Sequence, residues 1–178
     1  MSATPAMSDA GAAARPPLAE RLRQNADGIL EQIARDYGVS TFEVVRALPD
    51  EHRTIVPGSR FEDILRALTD WGEVLFIVHT PDIVLECAGK VPPGSYARGY
   101  FNLHGDSPIG GHIKADNCAH IAFVTRPFMG RASCSLQFFN DAGEAMFKIF
   151  VRRDSARNLI AEQVQCFDAL RRQLAASG

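Results

Sequence analysis

The sequence predicts an α+β protein, with N-terminal helices, one large curved antiparallel sheet, and a C-terminal amphipathic helix laid on it. Three observations carry this expectation. Apolar residues recur at helical spacing from Leu18 to Leu68, and the period drops to two after Trp71. The strand-like runs that follow are joined by short connections with no helix between them, which excludes βαβ units. From Asp154 a helical stripe resumes with Leu159, Ile160, Val164, Phe167, Leu170 and Leu174.

In chain order, residues 1–17 are rich in Ala, Pro and Ser, cannot bury enough surface to order themselves, and are expected to be a flexible tail. Residues 18–176 then form a single domain. Leu18 and Leu22 begin a helical pattern that resumes past Asp27-Gly28 with Ile29, Leu30 and Ile33, so Asp27 is a candidate N-cap. Gly38 is placed to end this helix. Ser40 and Glu43 have the spacing of a capping box that opens the helix TFEVVRAL, which Pro49 stops. Ser59 and Glu62 repeat the spacing ahead of Phe61, Ile64, Leu65 and Leu68, and Trp71-Gly72 closes that helix. The helix–turn–helix spacing around Gly38 does not make a DNA reader. Residues 41–48 offer one cation, Arg46, and are otherwise apolar or acidic on the face that would meet a groove.

Seven strands are expected over residues 74–80, 82–90, 99–104, 111–114, 119–126, 133–139 and 145–152. The odd-numbered face of the first holds Leu75, Ile77 and His79. Pro92-Pro93-Gly94 is a sharp break, and Asn140-Asp141-Ala142-Gly143 makes the last two strands a hairpin. Asp154 is the candidate cap of the final helix.

Composition narrows the function. At 178 residues, 46% hydrophobic and 22% charged, the chain is long enough for a real core. A net charge of −2 argues against nucleic acid, which would want a basic excess. No apolar run approaches the length of a membrane span. The N-terminus lacks the pattern of a secretory signal, and Cys87, Cys118, Cys134 and Cys166 form no C-x-x-C, so a reduced, cytoplasmic setting is expected.

The residues with chemistry to offer cluster between positions 79 and 148. Tyr100, His104 and His112 surround a Gly-dense hairpin at residues 104–111, with Arg98, Lys114 and Lys148 as the cations. Imidazole and phenol groups beside cations and large apolar side chains suit a flat, anionic, largely apolar ligand. His79 ends an otherwise apolar strand and reads equally as a buried histidine bonded to backbone or as a ligand. Tyr100, Asn102 and His104 share a strand face; whether His112 and Lys114 join it depends on the hairpin register, since a one-residue slip flips every side chain. His104, His112 and His120 recur every eight residues, but no H-x-H, H-x-x-x-H or C-x-x-C supports zinc. No G-x-S-x-G elbow, P-loop ending or C-x-x-C-H haem-attachment motif is present.

The runs WGEVLFIVHTPDIVLECAGKVPPG, GYFNLHG, GGHIKADNCAHIAF, PFMG and AMFKIFVRRD resemble the HutX/ChuX family of cytosolic haem-utilisation carriers. The similarity covers about residues 29–170. It implies a saddle-shaped antiparallel sheet with flanking helices, related to half of the double-length HemS/ChuS-type proteins, and pairing into a homodimer. It implies a carrier that accepts imported haem, holds it non-covalently and passes it to a haem-degrading or storage protein. The two histidines implicated in the family fall on His79 and His112, as axial candidates for the haem iron. Tyr100 is an alternative, since tyrosinate ligates iron in some haem proteins. Lys114 and Arg98 are candidates for the propionates, or else solvated surface cations. Two other readings stand beside the carrier: a haem-degrading enzyme, and a binding module for another amphipathic anion.

Overall fold

A computed structural model of the protein describes residues 15–176. Most of the expected tail, residues 1–17, therefore lies outside the described residues. Its last part meets the domain: Tyr37 Oη donates to the Pro16 carbonyl at 3.0 Å, and the Arg15 guanidinium sits over the Tyr37 ring.

Three short helices come first, α1 (Leu18–Gln24), α2 (Leu30–Tyr37) and α3 (Thr41–Arg46). Gly38 ends α2 in the left-handed region, and Ser40 with Glu43 forms the expected reciprocal capping box. Asp27 does not cap α2, whose N-cap is Ile29; its carboxylate is committed elsewhere, as described below. Strand β1 (Arg53–Pro57) was not expected from the sequence. Helix α4 (Phe61–Leu68) starts from a 3₁₀ turn over Gly58–Arg60 with Arg60 at the N-cap, so the Ser59–Glu62 box does not form.

The strands that follow are β2 (Glu73–His79), β3 (Val84–Lys90), β4 (Gly94–Ala97), β5 (Tyr100–Leu103), β6 (Gly111–Ile113), β7 (His120–Phe128), β8 (Arg131–Phe139) and β9 (Ala145–Phe150). The chain ends in α5 (Ala161–Ala175). Asp154 caps a tight turn instead of this helix, accepting the Asn158 N–H, and Leu159 and Ile160 precede α5.

All strand pairs are antiparallel. Six strands form an open, curved sheet in the order β1-β7-β8-β9-β2-β3, and β4-β5-β6 make a small second sheet. The result is the α+β, saddle-like architecture that the sequence predicts.

Alternation divides the large sheet into two faces. Leu136 and Phe138 of β8, Phe147 and Ile149 of β9 and Val74 of β2 face the main core, shared with α4, α5 and the small sheet's Phe101 and Leu103. Ala122 and Val124 of β7 with Phe139 face a second core under α1–α3. Phe61 ties the first core together, meeting Phe101, Phe138 and Phe147 edge-on at 5.5, 5.6 and 6.2 Å between ring centroids. Such aromatic contacts add to area burial. Phe61→Ala should cost about 3–5 kcal/mol in urea unfolding. A loss below about 1 kcal/mol would show that this ring does not join the layers.

Candidate functional site

The three N-terminal helices cover only part of the second face of the large sheet. Over β8, β9, β2 and β3 that face stays open as a cleft of about 500 Å³. Register explains its floor. Leu75, Ile77 and His79 of β2 alternate with the core residues Val74, Phe76 and Val78, so they point the other way. Leu75 lies between Ala88 and Phe150, and Ile77 between Glu86 and Lys148. Lys148 in turn pairs with Gln137 of β8. Ile29 and Leu30 at the head of α2 and Phe128 at the end of β7 form one wall.

Three polar side chains meet at one place in this cleft. The Glu31 carboxylate meets the Lys148 ammonium through one oxygen and stands 3.3 Å from His79 Nδ1 through the other. All three are well enclosed, with side-chain exposures of 18% for His79, 11% for Glu31 and 8% for Lys148. Burial alone would raise the Glu31 carboxyl, but the charge and hydrogen bond of Lys148 outweigh it and hold the group below the usual range. Burial lowers Lys148, and the charge and hydrogen bond of Glu31 offset this only in part.

Beside them, burial lowers the Arg126 guanidinium to about 10, which leaves it charged at neutral pH. Arg126 donates to the Ala26 and Gly28 carbonyls, both at 2.8 Å. The Gln137 amide oxygen is buried against the cleft with no hydrogen-bond partner among the described residues.

A second contact fixes the same wall. Asp27 accepts the backbone N–H groups of Met129 and Gly130 at 2.8 and 2.7 Å, and also that of Gly28. Met129 and Gly130 form the tight β7–β8 turn, both at positive φ. Asp27 thus locks the PFMG turn onto the α1–α2 loop.

The other sequence candidates gather on the small sheet. Asn102 pairs across strands with His112, which settles the register: Tyr100, Asn102 and His112 share one face. His112 Nδ1 is 2.6 Å from Asn102 Oδ1, the Tyr100 ring meets His112 edge-on, and Lys114 Nζ lies 5.5 Å above the Tyr100 ring. Their neighbours Phe101 and Ile113 turn into or against the main core, so this face points outward. Arg98 is exposed in the β4–β5 turn at positive φ.

The structure therefore groups Tyr100, His112 and Lys114, and places His79 across the main core from them, in the cleft. His104 bonds to Ser95, and His120 stacks on Phe42. Glu31, Arg126 and Gln137 were missed by the sequence reading. Gln137 had a signal, since Ser133, Ser135 and Gln137 alternate with Cys134, Leu136 and Phe138. Glu31 had none, being one of two acidic residues on a short helix.

Fold and cleft together define an α+β protein with a half-covered sheet whose open face is apolar and lined with cations. The model of the family described as "Haem utilisation ChuX/HutX" matches residues 54–170, and the chain belongs to this family. It is 40% identical over 163 residues to the intracellular heme transport protein HutX of Vibrio cholerae serotype O1, covering 86% of this chain and 84% of that protein. A crystal structure of a protein from Erwinia carotovora superposes with a TM-score of 0.88 at 47% identity, over 90% of this chain and 99% of that one. The structure of the heme-binding protein ChuX gives 0.83 at 45% identity, over 89% and 99%. ChuS of Escherichia coli O157:H7 shares the fold, with a TM-score of 0.72 at 16% identity; 89% of this chain matches 49% of that one. No helix among the described residues is long and apolar enough to cross a membrane.

The Asp27 clamp has a pH signature. Hydrogen bonds from Gly130, then Gly28 and Met129, hold its carboxyl below the usual range against a smaller effect of burial. A folded value below the unfolded one stabilises the fold above the unfolded carboxylate range and is lost as pH falls through the folded value. Asp27→Asn should therefore lower stability at neutral pH and flatten the acid limb of a stability–pH curve. A variant as acid-sensitive as the wild type would contradict the clamp.

Proposed function

We propose that the protein is an intracellular haem carrier that holds haem non-covalently in the cleft and hands it to a haem-degrading or storage protein. The observation that carries this reading is the His79 imidazole standing at the end of an open, apolar cleft. The residues fit the group. Leu75, Ile77 and Phe150 offer a floor for a porphyrin plane, His79 a nitrogen donor to iron, and Arg152 and Arg153 cations for propionates. Membership of a haem-utilisation family and the names of HutX and ChuX support the same ligand.

Energetics favour a carrier over a tight store. Burying on the order of 400 Å² of porphyrin contributes roughly 10 kcal/mol gross. Association costs of about 4–15 kcal/mol oppose it. Apolar contact alone is marginal, so the iron–nitrogen bond and the propionate contacts set affinity, and an open cleft permits release.

Tyr100, His112, Lys114 and Arg98 then form a second donor set. Because the main core separates them from His79, one haem can touch both sets only when two copies of the chain meet. A homodimer in which the small sheet of one copy approaches the cleft of the other accounts for both. The exposed Ile83, Val84 and Leu85, at the free edge beside the cleft, supply apolar surface for such pairing.

Haemin titrated into the protein should give a Soret band saturating near one haem per chain. His79→Ala should weaken binding about tenfold or more, which corresponds to about 1.4 kcal/mol or more. Under reductant and air the band should persist. No spectral change, or wild-type affinity in His79→Ala, would overturn the reading; steady conversion to a tetrapyrrole product would make the protein an enzyme.

A further inference from the structure

The arrangement of Glu31, His79 and Lys148 says more than that a histidine lines the cleft. Three separate elements bring them together: Glu31 from the first turn of α2, His79 from the end of β2, and Lys148 from β9. Ile77 pairs with Lys148 across β2 and β9, and His79 follows two residues later on the same face. Glu31 drops from the helix into the space between them, one oxygen to Lys148 and the other 3.3 Å from His79 Nδ1.

An ionised carboxylate can only accept, so a ring nitrogen that bonds to it must carry the proton. A neutral imidazole has one N–H. Nε2 is then left with its lone pair, on a ring that borders the open cleft. We propose that Glu31 is a positioning residue, which holds His79 as the Nδ1–H tautomer and so presents Nε2 as the donor to the metal of a porphyrin in the cleft. Lys148 keeps the carboxylate in place.

The inference rests on the haem reading above and adds to it the control of the donor. Metal-bound histidines generally give their second N–H to a carboxylate, carbonyl or water, which fixes the ring and raises its basicity. The buried pair also needs a reason, because an apolar pair of similar volume would often be as stable or more so. A purely structural tie between α2 and the sheet would supply stability but would leave the His79 tautomer unselected.

The test uses the full chain labelled with ¹⁵N-histidine, without haem, at mildly alkaline pH. Long-range ¹H–¹⁵N spectra should show His79 as the Nδ1–H tautomer. In Glu31→Ala/Lys148→Met, which removes both charges together, the signal should shift towards the Nε2–H form. Haem affinity should fall about 10–100-fold, and the iron–histidine stretch of the ferrous complex should move to lower frequency. A wild-type Nε2–H tautomer overturns the inference without need of any variant, and so does a folded double variant that keeps the wild-type tautomer. Haem binding unchanged in His79→Ala would instead sink the haem seat itself, whatever the tautomer shows.

Discussion

Three helices of six to eight residues are too short to cover one face of a six-stranded sheet, and the open cleft follows from that mismatch. They pack over Ala122, Val124 and Phe139 and stop. On the other face α4, α5 and the small sheet pack around Phe61 and Phe138. Part of the second face is thus left with Leu75, Ile77 and Phe150 only half-buried, although burying them fully would stabilise the fold. The edge of the cover is held firmly: Arg126 anchors to the α1–α2 loop from the sheet side and Asp27 anchors the β7–β8 turn from the loop side. The wall of the cleft is tied down by hydrogen bonds where its roof is missing.

Placing charges on that floor is costly unless each is answered. Glu31 and Lys148 answer each other, and Glu31 has an oxygen to spare for His79. The outcome is one imidazole beside a carboxylate at the end of an apolar floor. On the far side of the core the small sheet offers a different environment, an exposed phenol, imidazole and ammonium in contact with one another. One chain presents these two sets back to back.

Much of this was legible in the sequence. The change of period after Trp71 located the sheet, and alternation through residues 74–80 put Leu75, Ile77 and His79 on one face. The parts that were not legible depend on partners distant in the chain. Asp27 has the local context of an N-cap, but its carboxylate is taken by amides more than a hundred residues away. Asp154 likewise caps, but caps a turn. β1 escaped because RTIVP is short and ends in proline, and its pairing with β7 lies some seventy residues off. β4 escaped because it starts directly after Pro92-Pro93. The resemblance singled out His79 and His112 together; only the stacking of the two sheets shows that a single chain holds them apart.

We place the haem seat on the open part of the large sheet. Ferric haem is paramagnetic and broadens the NMR signals of nuclei near it. On adding haemin to ¹⁵N-labelled protein, the amides of residues 75–79, 137 and 148 should broaden first and most. Broadening confined to the outer face of the small sheet, around Tyr100 and His112, with these residues untouched, would contradict the account.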